Sequence, residues 1–506
     1  MFFQSDSPFF VRVAAHTRPL RDLRSTVFFR GATYRVGDLR CCEHNFSALH
    51  DAHTYSHLTD ASVTDRIQPR TLKGFRDFLP ETMIPREAIM ATARQVYRRY
   101  GFSPIDTPAL ELLEILTGKG SEETDRQLYR FEDHGGRQVG LRFDLTVPLA
   151  RFAAQHIGQL GTPFKRYHIA PVWRGENTQA GRYREFIQCD FDTIGTESIV
   201  ADIETGLVIH ELLQELAVGD FTLRINNRQV LSGLLAKLDL VEQTVPVLRS
   251  LDKLDKIGHD AVAQEMMTVA AISQEQAQEV LKLAQVTGST DQILSQLDQL
   301  LAGNELGETG VGRLRDLTAA LQAAGIAEER YELNVAIARG LDYYTGVIFE
   351  TTLDQLPGIG SICSGGRYDN LAEVYTKQHL PGIGASLGLD RLLAALETLG
   401  RMPASRAPAP VMIVYFDKDR LHDYLQLAQR VRAAGIGVEL YPEPRKLAAQ
   451  LKYADQRGFQ IALIAGTQEL EAGTCQVKDL ARKTSTEISW RIDSTQLLAA
   501  INAALG

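Results

Sequence analysis

The sequence predicts an α/β protein of several domains, on three observations. There is a long β-hairpin signal between Phe164 and Gly195, a stretch rich in Leu, Ala, Gln, Glu and Lys from about Gln229 to Gly325, and an alternation of strands and helices after Val411. At 506 residues the chain also exceeds the roughly 250–300 at which a single core stops growing, so two or three domains are expected.

Residues 1–66 carry Arg12, Arg18, Arg21, Arg24, Arg30, Arg35 and Arg40 but no sustained apolar period. Two readings compete: an Arg-rich, acid-poor transit peptide, or upstream sequence wrongly included in the reading frame. The second is favoured, because Asp22, Asp38 and Glu43 interrupt the basic run and no amphipathic helix emerges. From Gly74 the pattern is orderly. Ile89, Ala93, Val96 and Tyr100 recur at helical spacing and predict a helix over Pro85–Tyr100, ended by Gly101. Phe102–Pro108 reads as a short strand closed by a proline that cannot donate to a ladder, and Leu110–Thr117 as another helix.

The hairpin consists of two apolar-rich runs joined by the polar turn Asn177-Thr178-Gln179-Ala180-Gly181. The composition of 229–325, with few β-branched clusters, predicts an inserted helical domain, after which strands resume around Glu332–Thr351. Pro403, Pro408 and Pro410 mark a linker over 401–410. Beyond it, strands Val411–Phe416, Val438–Tyr441 and Ile461–Ile464 alternate with helices Arg420–Ala434 and Lys446–Arg457, which predicts a small α/β domain over 411–506 with a largely parallel sheet. The main body is then 67–228 together with 326–400.

Composition narrows the class of protein. With 44% hydrophobic and 23% charged residues the chain has ample material for a packed core, and neither a disordered nor a fibrous protein is indicated. A net charge of -9 provides no global positive field, so any nucleic-acid contact must be local. The five cysteines, Cys41, Cys42, Cys189, Cys363 and Cys475, form no C-x-x-C pair, which argues against a zinc ribbon or a disulfide framework and fits a reducing compartment. No apolar run reaches the roughly 18–20 residues of a membrane span, and no signal peptide is recognisable. A cytoplasmic protein without a membrane partner is expected.

Chemistry concentrates in four places. In the second hairpin strand, Arg182, Arg184, Phe186, Gln188, Asp190 and Asp192 share one face by period two, and in the first strand Val172, Arg174 and Glu176 do so. A generic hairpin would carry such a row as a solvated face with cross-strand ion pairs. Phe186 amid the polar row suits stacking on a planar base instead, and the arginines suit phosphate and carboxylate. There is no P-loop, so ATP would need a different device. The run Gly382-Ile383-Gly384-Ala385-Ser386-Leu387-Gly388-Leu389-Asp390-Arg391 is a small-residue strand entering a helix over Arg391–Leu399, where Arg391 can meet an anion. On its own it fits tight strand-to-helix packing better, and its value comes from the company it keeps. Arg339-Gly340-Leu341-Asp342-Tyr343-Tyr344-Thr345-Gly346 and Ser364-Gly365-Gly366-Arg367-Tyr368-Asp369 complete the set, offering donors and acceptors around a small polar ligand.

Taken together, these segments resemble a family. The helix and strand ending at Pro108, the hairpin with Gly181-Arg182-Tyr183-Arg184-Glu185-Phe186, and the glycine-rich strand leading to Arg391 look like motifs 1, 2 and 3 of class II aminoacyl-tRNA synthetases. Arg339–Tyr344 resembles the signature of the histidyl-tRNA synthetases, and Ser364–Asp369 their second histidine motif. The resemblance covers about 67–506. It implies a mixed, mainly antiparallel catalytic sheet, an anticodon-binding tail domain, and a homodimer formed through the motif 1 helix and strand.

The resemblance also implies roles, residue by residue. L-histidine would be held by Asp144, Leu145, Thr146, Gln188, Asp192, Arg339, Tyr343 and Tyr344, the run Leu141-Arg142-Phe143-Asp144-Leu145-Thr146 matching the substrate loop. ATP would be held by Arg174 at the α-phosphate, Glu176 and Phe186 at the adenine, Arg182, and Arg391 at the γ-phosphate end. Arg339 and Arg174 are the implied catalytic groups. Arg339 would take a role that a metal ion plays in other class II enzymes, while Mg²⁺ stays with the β- and γ-phosphates; no metal site made by the protein alone is implied. Gln179 would touch the acceptor stem of tRNA-His. Two departures stand out: Asp144-Leu145-Thr146 replaces the Glu-Gly-Thr of many bacterial members, and Asn177-Thr178-Gln179 replaces their Arg-Pro-Gln. The rival readings are a histidine-sensing regulatory paralogue of histidine biosynthesis, which normally lacks the tail domain, and a synthetase for another amino acid, which would lack the Arg339–Tyr344 signature.

Overall fold

A computed structural model describes residues 67–118, 122–337, 343–402 and 407–505. The chain divides into Met1–Pro69, of which only 67–69 are described, and Arg70–Gly506, which carries all that follows. The expected extension over 1–66, the segment 338–342 with Arg339, and residues 403–406 of the expected linker lie outside the described residues.

The first helix, α1, spans Pro80–Arg99 and buries Ile89, Ala93, Val96 and Tyr97 on one stripe. It starts five residues before the predicted Pro85, because Pro80 occupies the first turn, where a missing N–H costs nothing. The strand expected over Phe102–Pro108 shrinks to β1, Ser103–Pro104, since the chain has no ladder beyond Pro104. The helix expected over Leu110–Thr117 is a correction of another kind. Leu110–Leu112 form a strand, β2, and only Leu113–Thr117 are helical, as α2. Three residues of Leu-Glu-Leu are too few for periodicity to decide, and pairing with distant β4 (Gln138–Leu141) does so. With β3, Arg130–Glu132, these make a small antiparallel sheet in the order β2-β4-β3; helix α3, Glu122–Gln127, precedes β3, and α4, Thr146–Leu160, follows β4.

The main sheet has eight strands in the order β1-β5-β6-β11-β10-β9-β7-β8. They are β5 (Phe164–Trp173), β6 (Glu185–Ile194), β7 (Phe221–Asn227), β8 (Tyr331–Leu333), β9 (Val347–Leu353), β10 (Cys363–Arg367) and β11 (Gly382–Gly388). Every pairing is antiparallel except the outermost two, β1 with β5 and β7 with β8, so the expected mixed, mainly antiparallel sheet is observed. Helices α1, α5 (Ile199–Glu215) and α13 (Leu389–Thr398) join the strands in one core. Tyr97 illustrates the packing: its ring lies 5.0 Å from that of Phe191, and its hydroxyl donates to the Cys189 carbonyl at 2.8 Å.

Between β7 and β8 the chain is helical, as the composition predicts: α6 (Arg228–Lys237), α7 (Thr244–Leu251), α8 (Leu254–Ile257), α9 (His259–Val269), α10 (Gln274–Ala284), α11 (Thr290–Leu301) and α12 (Glu305–Ala323). Helices α6 and α12 cross closely because Gly233 faces the Gly307 backbone.

Residues 407–505 surround a separate core containing Tyr424, Leu463 and the fully buried Trp490. Its sheet runs β13-β12-β14-β15-β16, from β12 (Val411–Ile413), β13 (Val438–Leu440), β14 (Ile461–Ile464), β15 (Thr474–Asp479) and β16 (Ser485–Ser489). Helices α14 (Leu421–Ala433), α15 (Leu447–Arg457), α16 (Thr467–Ala472) and α17 (Thr495–Leu505) accompany it. Here the largely parallel sheet needs correction. Strands β13, β12 and β14 are parallel, but β15 and β16 add antiparallel edges. Strand β16 is almost wholly exposed and polar, so no apolar pattern announces it. Among the described residues no helix is long and apolar enough to cross a membrane.

Candidate active site

Period two sorts the main sheet into a core face and a cleft face. On β6, Cys189 and Phe191 enter the core, while Phe186, Gln188, Asp190 and Asp192 point the other way. Strand register continues that row across the sheet: Asp190 is opposite Ser386, which is opposite Ser364, which is opposite Glu350. Gly384, opposite Asp192, leaves the space for this row, for a Cβ there would stand 2.1 Å from the Asp192 carboxylate.

Over this floor lies a cavity of about 340 Å³ bounded by Asp144, Gln188, Asp190, Asp192, Tyr343 and Tyr344 among others. Its charge is unbalanced. Asp144, Asp190 and Asp192 are 4%, 2% and 3% exposed; the fully buried Arg166 faces Asp190 and Asp192, and of the guanidiniums Arg174 acts most strongly on Asp144. Arg166 Nη2 is 2.8 Å from Asp192 Oδ2, 3.9 Å from Asp190 Oδ2, and donates to the Leu145 carbonyl at 3.2 Å. Burial pushes the Asp190 carboxyl up to about 7, with Arg166 pulling the other way and Asp192 adding to the rise. Burial likewise raises Asp192 and Asp144, the latter opposed by the backbone N–H of Val147, which donates to Asp144 Oδ1 at 2.9 Å. Asp190 Oδ1 and Gln188 Oε1 are buried without a hydrogen-bond partner, although Gln188 Nε2 donates to Ser386 Oγ at 3.0 Å. A cationic ligand with N–H donors would answer both deficits.

Three tyrosines close the cavity. Tyr343 packs edge-on against Tyr344 at 5.3 Å and Tyr368 at 6.0 Å, and the Tyr368 hydroxyl donates to Asp192 Oδ1 at 2.5 Å. Burial raises all three phenols, keeping them neutral donors.

A second cavity of about 130 Å³ adjoins the first, sharing Arg174, Arg182, Gln188, Ser364 and Ser386, and adds Glu176, Phe186 and Arg391. Here the surplus is positive. The Arg174 guanidinium sits 4.3 Å from the Phe143 ring and 5.1 Å from the Phe186 ring, with Nε donating to the Phe143 carbonyl at 3.1 Å. Arg391 donates to the Ser361 carbonyl; burial, then Arg182, lowers its pKa, with Glu176 in partial opposition and Arg174 adding to the fall. Clustered guanidinium groups of this kind call for a polyanion. Asp390 ties the wall together, accepting from Arg76 and Arg86 at 2.5 Å each and from Ile187 N at 3.0 Å.

The structure therefore brings Asp144, Thr146, Arg174, Gln188, Asp192, Tyr343 and Tyr344 to one cavity, and Glu176, Arg182, Phe186 and Arg391 to the other. Leu145 is a correction: its side chain is fully buried with Ala170 and Val172, and only its carbonyl contributes, to Arg166. Gln179 stands exposed at the hairpin turn, its N–H donating to the Arg182 carbonyl at 3.1 Å, and lines neither cavity. Sequence reasoning does not single out Arg166, Glu350 or Arg76, and it assigns no individual role to Asp190, Tyr368 or Asp390, although Tyr368 and Asp390 fall within the Ser364–Asp369 and Gly382–Arg391 segments. Hairpin register supplies a signal for the first, since Arg166 pairs with Asp192 and His168 with Asp190. His168 itself is depressed to about 4, by burial first and then by Arg166 and Arg142, while Asp106 pulls it up; its Nε2 lies 3.0 Å from Asp106.

Comparison with known proteins is consistent along nearly the whole described length. Residues 74–392 match the family described as histidyl-tRNA synthetase, and 410–501 the anticodon binding domain. A protein of Rhodopirellula baltica described as a histidine-tRNA ligase is 63% identical over 439 residues, which is 87% of this chain and 99% of that protein. One of Wolinella succinogenes with the same description is 45% identical, over 82% of this chain and 94% of its own length. A solved histidyl-tRNA synthetase from Nostoc sp. PCC 7120 superposes with a TM-score of 0.78 at 35% identity, covering 87% of this chain and all of that one.

Proposed function

The chain belongs to the histidyl-tRNA synthetase family and charges tRNA with histidine, and we propose that its two joined cavities hold the reactants as follows. The cavity with surplus carboxylate takes L-histidine: the ammonium group offsets Asp144, Asp190 and Asp192, and the imidazole finds an acceptor in a carboxylate and a donor in a neutral phenol. The cavity with surplus guanidinium takes ATP, with Phe186 and Glu176 at the adenine, Arg174 at the α-phosphate, and Arg182 and Arg391 along the phosphates.

Arg174 carries this reading, because it borders both cavities with its guanidinium held between two rings. In that place it meets the α-phosphate as the histidine carboxylate oxygen attacks phosphorus in line and pyrophosphate leaves. A terminal ribose hydroxyl of tRNA-His then attacks the activated carbonyl and releases AMP. Arg339, outside the described residues, is assigned a share of the charge stabilisation, from its place in the signature. Mg²⁺ accompanies the phosphates. An ion ligated mainly by phosphate and water needs only one or two carboxylates from the protein. Glu350, on the cleft face and near enough to raise Arg391, fits that need, and the bound ion would offset charge on the leaving pyrophosphate.

Gln179 at the exposed turn is assigned to the acceptor stem, the domain over 411–506 to the anticodon, and the helices over 229–325 to an insertion in the catalytic domain. A cytoplasmic homodimer completes the reading. Leu110, Leu112 and Phe131, 40%, 44% and 48% exposed on the small sheet β2-β4-β3, supply an apolar patch suited to a twofold contact. The regulatory paralogue has less support, since the tail domain is present. Pyrophosphate exchange with each of twenty amino acids tests the reading: exchange with histidine alone is expected, and exchange with another amino acid, or with none, overturns it.

A further inference from the structure

A buried chain of ion pairs runs from the tyrosine cluster to the helical insertion. Asp202 of α5 is fully buried and holds two guanidinium groups. Its Oδ1 accepts from Arg367 Nε at 2.9 Å and Nη2 at 2.5 Å, and its Oδ2 accepts from Arg313 Nη1 at 2.8 Å. Arg313 belongs to α12, and its Nη2 donates to the Glu197 carbonyl at 2.8 Å.

Arg367, at the end of β10, passes the restraint on. Its Nη1 donates to the Thr196 carbonyl and to Asp369 Oδ1, each at 3.0 Å. Asp369 Oδ2 accepts from Thr345 Oγ1 at 2.7 Å, and Thr345 N donates to the Arg367 carbonyl at 2.7 Å. Thr345 directly follows Tyr343 and Tyr344, and Tyr368 directly follows Arg367. All three cavity tyrosines thus sit within two residues of a group that Arg367 fixes. The other end of the insertion meets the same loop, for Arg228 N, at the start of α6, donates to the Gly346 carbonyl at 2.8 Å.

We propose that Arg313, acting through Asp202 and Arg367, is a positioning residue that sets the Tyr343, Tyr344 and Tyr368 rings for histidine, so that the insertion helix α12 bears on histidine affinity. The proposal rests on the reading of the larger cavity as the histidine site. The physical reason is charge compensation: a buried carboxylate shared by two guanidiniums grips each in a fixed place, and loss of one leaves it under-compensated. Asp202 is already raised by burial against the pull of both arginines. Without Arg313 it moves further toward its neutral form and slackens on Arg367. The ATP wall lies outside this chain, since Arg174 and Arg391 are held by the Phe143 and Ser361 carbonyls. Because the rings touch the amino acid before and during reaction, the effect falls on KM for histidine rather than on kcat.

Arg313 is only partly buried, at 25% exposure of its side chain, which makes it a usable probe. Pyrophosphate exchange by Arg313→Gln should show the histidine KM raised roughly tenfold, in line with the steep cost of small misplacements, with the ATP KM and melting temperature near those of the parent. Arg313→Lys, which keeps the positive charge facing Asp202, should recover most of the loss. Thr345→Val, which cuts the last link without touching Asp202, should raise the histidine KM in the same direction. An unchanged histidine KM in Arg313→Gln or Thr345→Val overturns the proposal, as does a parallel rise of both KM values with lowered melting that Lys does not rescue. If the parent itself gives no exchange with histidine, the cavity assignment falls instead, and this inference with it.

Discussion

Asp190 is the residue on which the electrostatics of the cavity turn. Burial and the neighbouring Asp192 lift its carboxyl from the ordinary range to about 7, against the pull of Arg166. A carboxyl raised in the folded state contributes stability below its unfolded pKa and loses it as pH rises through the folded value. The unliganded protein should therefore lose stability between about pH 4 and 7 from this group, and Asp190→Asn should flatten that dependence in urea titrations. Binding of a histidine ammonium reverses the preference and favours the carboxylate. Calorimetry near neutral pH, in buffers of different ionisation enthalpy, should then detect proton release on histidine binding that Asp190→Asn lacks; equal proton release in both would remove Asp190 from that role. At this scale much was legible: Asp144, Gln188, Asp192, Tyr343 and Tyr344 all line the larger cavity. What was not legible depends on pairing across strands. Arg166 reads as one more basic residue in an apolar run until register sets it opposite Asp192. Leu145 errs the other way, because membership of a motif does not say which way a side chain points.

The hairpin and the strap that crosses beside its turn belong to the scale of elements. Gly74, at φ +86°, accepts at its carbonyl from Arg184 N at 2.9 Å, and a Cβ there would stand 2.7 Å from the Arg184 side chain. Two residues on, the Arg76 guanidinium stacks 3.6 Å from the Tyr183 ring and bonds Asp390. One side chain thus joins the hairpin to the start of α13, which carries Arg391. Arg76→Ala should raise the ATP KM roughly tenfold while leaving the histidine KM in place, a magnitude expected for losing one stacked, partly buried ion pair. Arg76→Lys should recover little, since an ammonium cannot stack and bond at once. Steady-state exchange kinetics resolve this, and a histidine KM that rises in step with that of ATP would count against a strap specific to the nucleotide wall. The hairpin was readable because two long apolar-rich runs flank a polar turn that closes on Gly181. Strands β2 and β16 were not, being short or almost wholly exposed, so that only pairing with β4 and β15 defines them.

Across the whole molecule, the chemistry and the assigned anticodon contacts draw on separate cores. Every side chain assigned to activation lies between Asp144 and Arg391, whereas the tail closes its own core around Trp490, Tyr424 and Leu463. A charge of -9 over 506 residues gives no general attraction for a polyanion, so tRNA must be gathered by contacts at several local places rather than by a basic field. Linked weak sites of that kind gain from acting together, and loss of one forfeits the gain. A chain ending after Gly400 should therefore keep histidine-dependent pyrophosphate exchange close to that of the parent while charging of tRNA-His falls by about 10²-fold or more. Measuring both on one preparation separates the cases: if exchange is lost along with charging, the tail supports the fold of the catalytic cleft and is not confined to tRNA, because binding of the small substrates makes no demand on the anticodon.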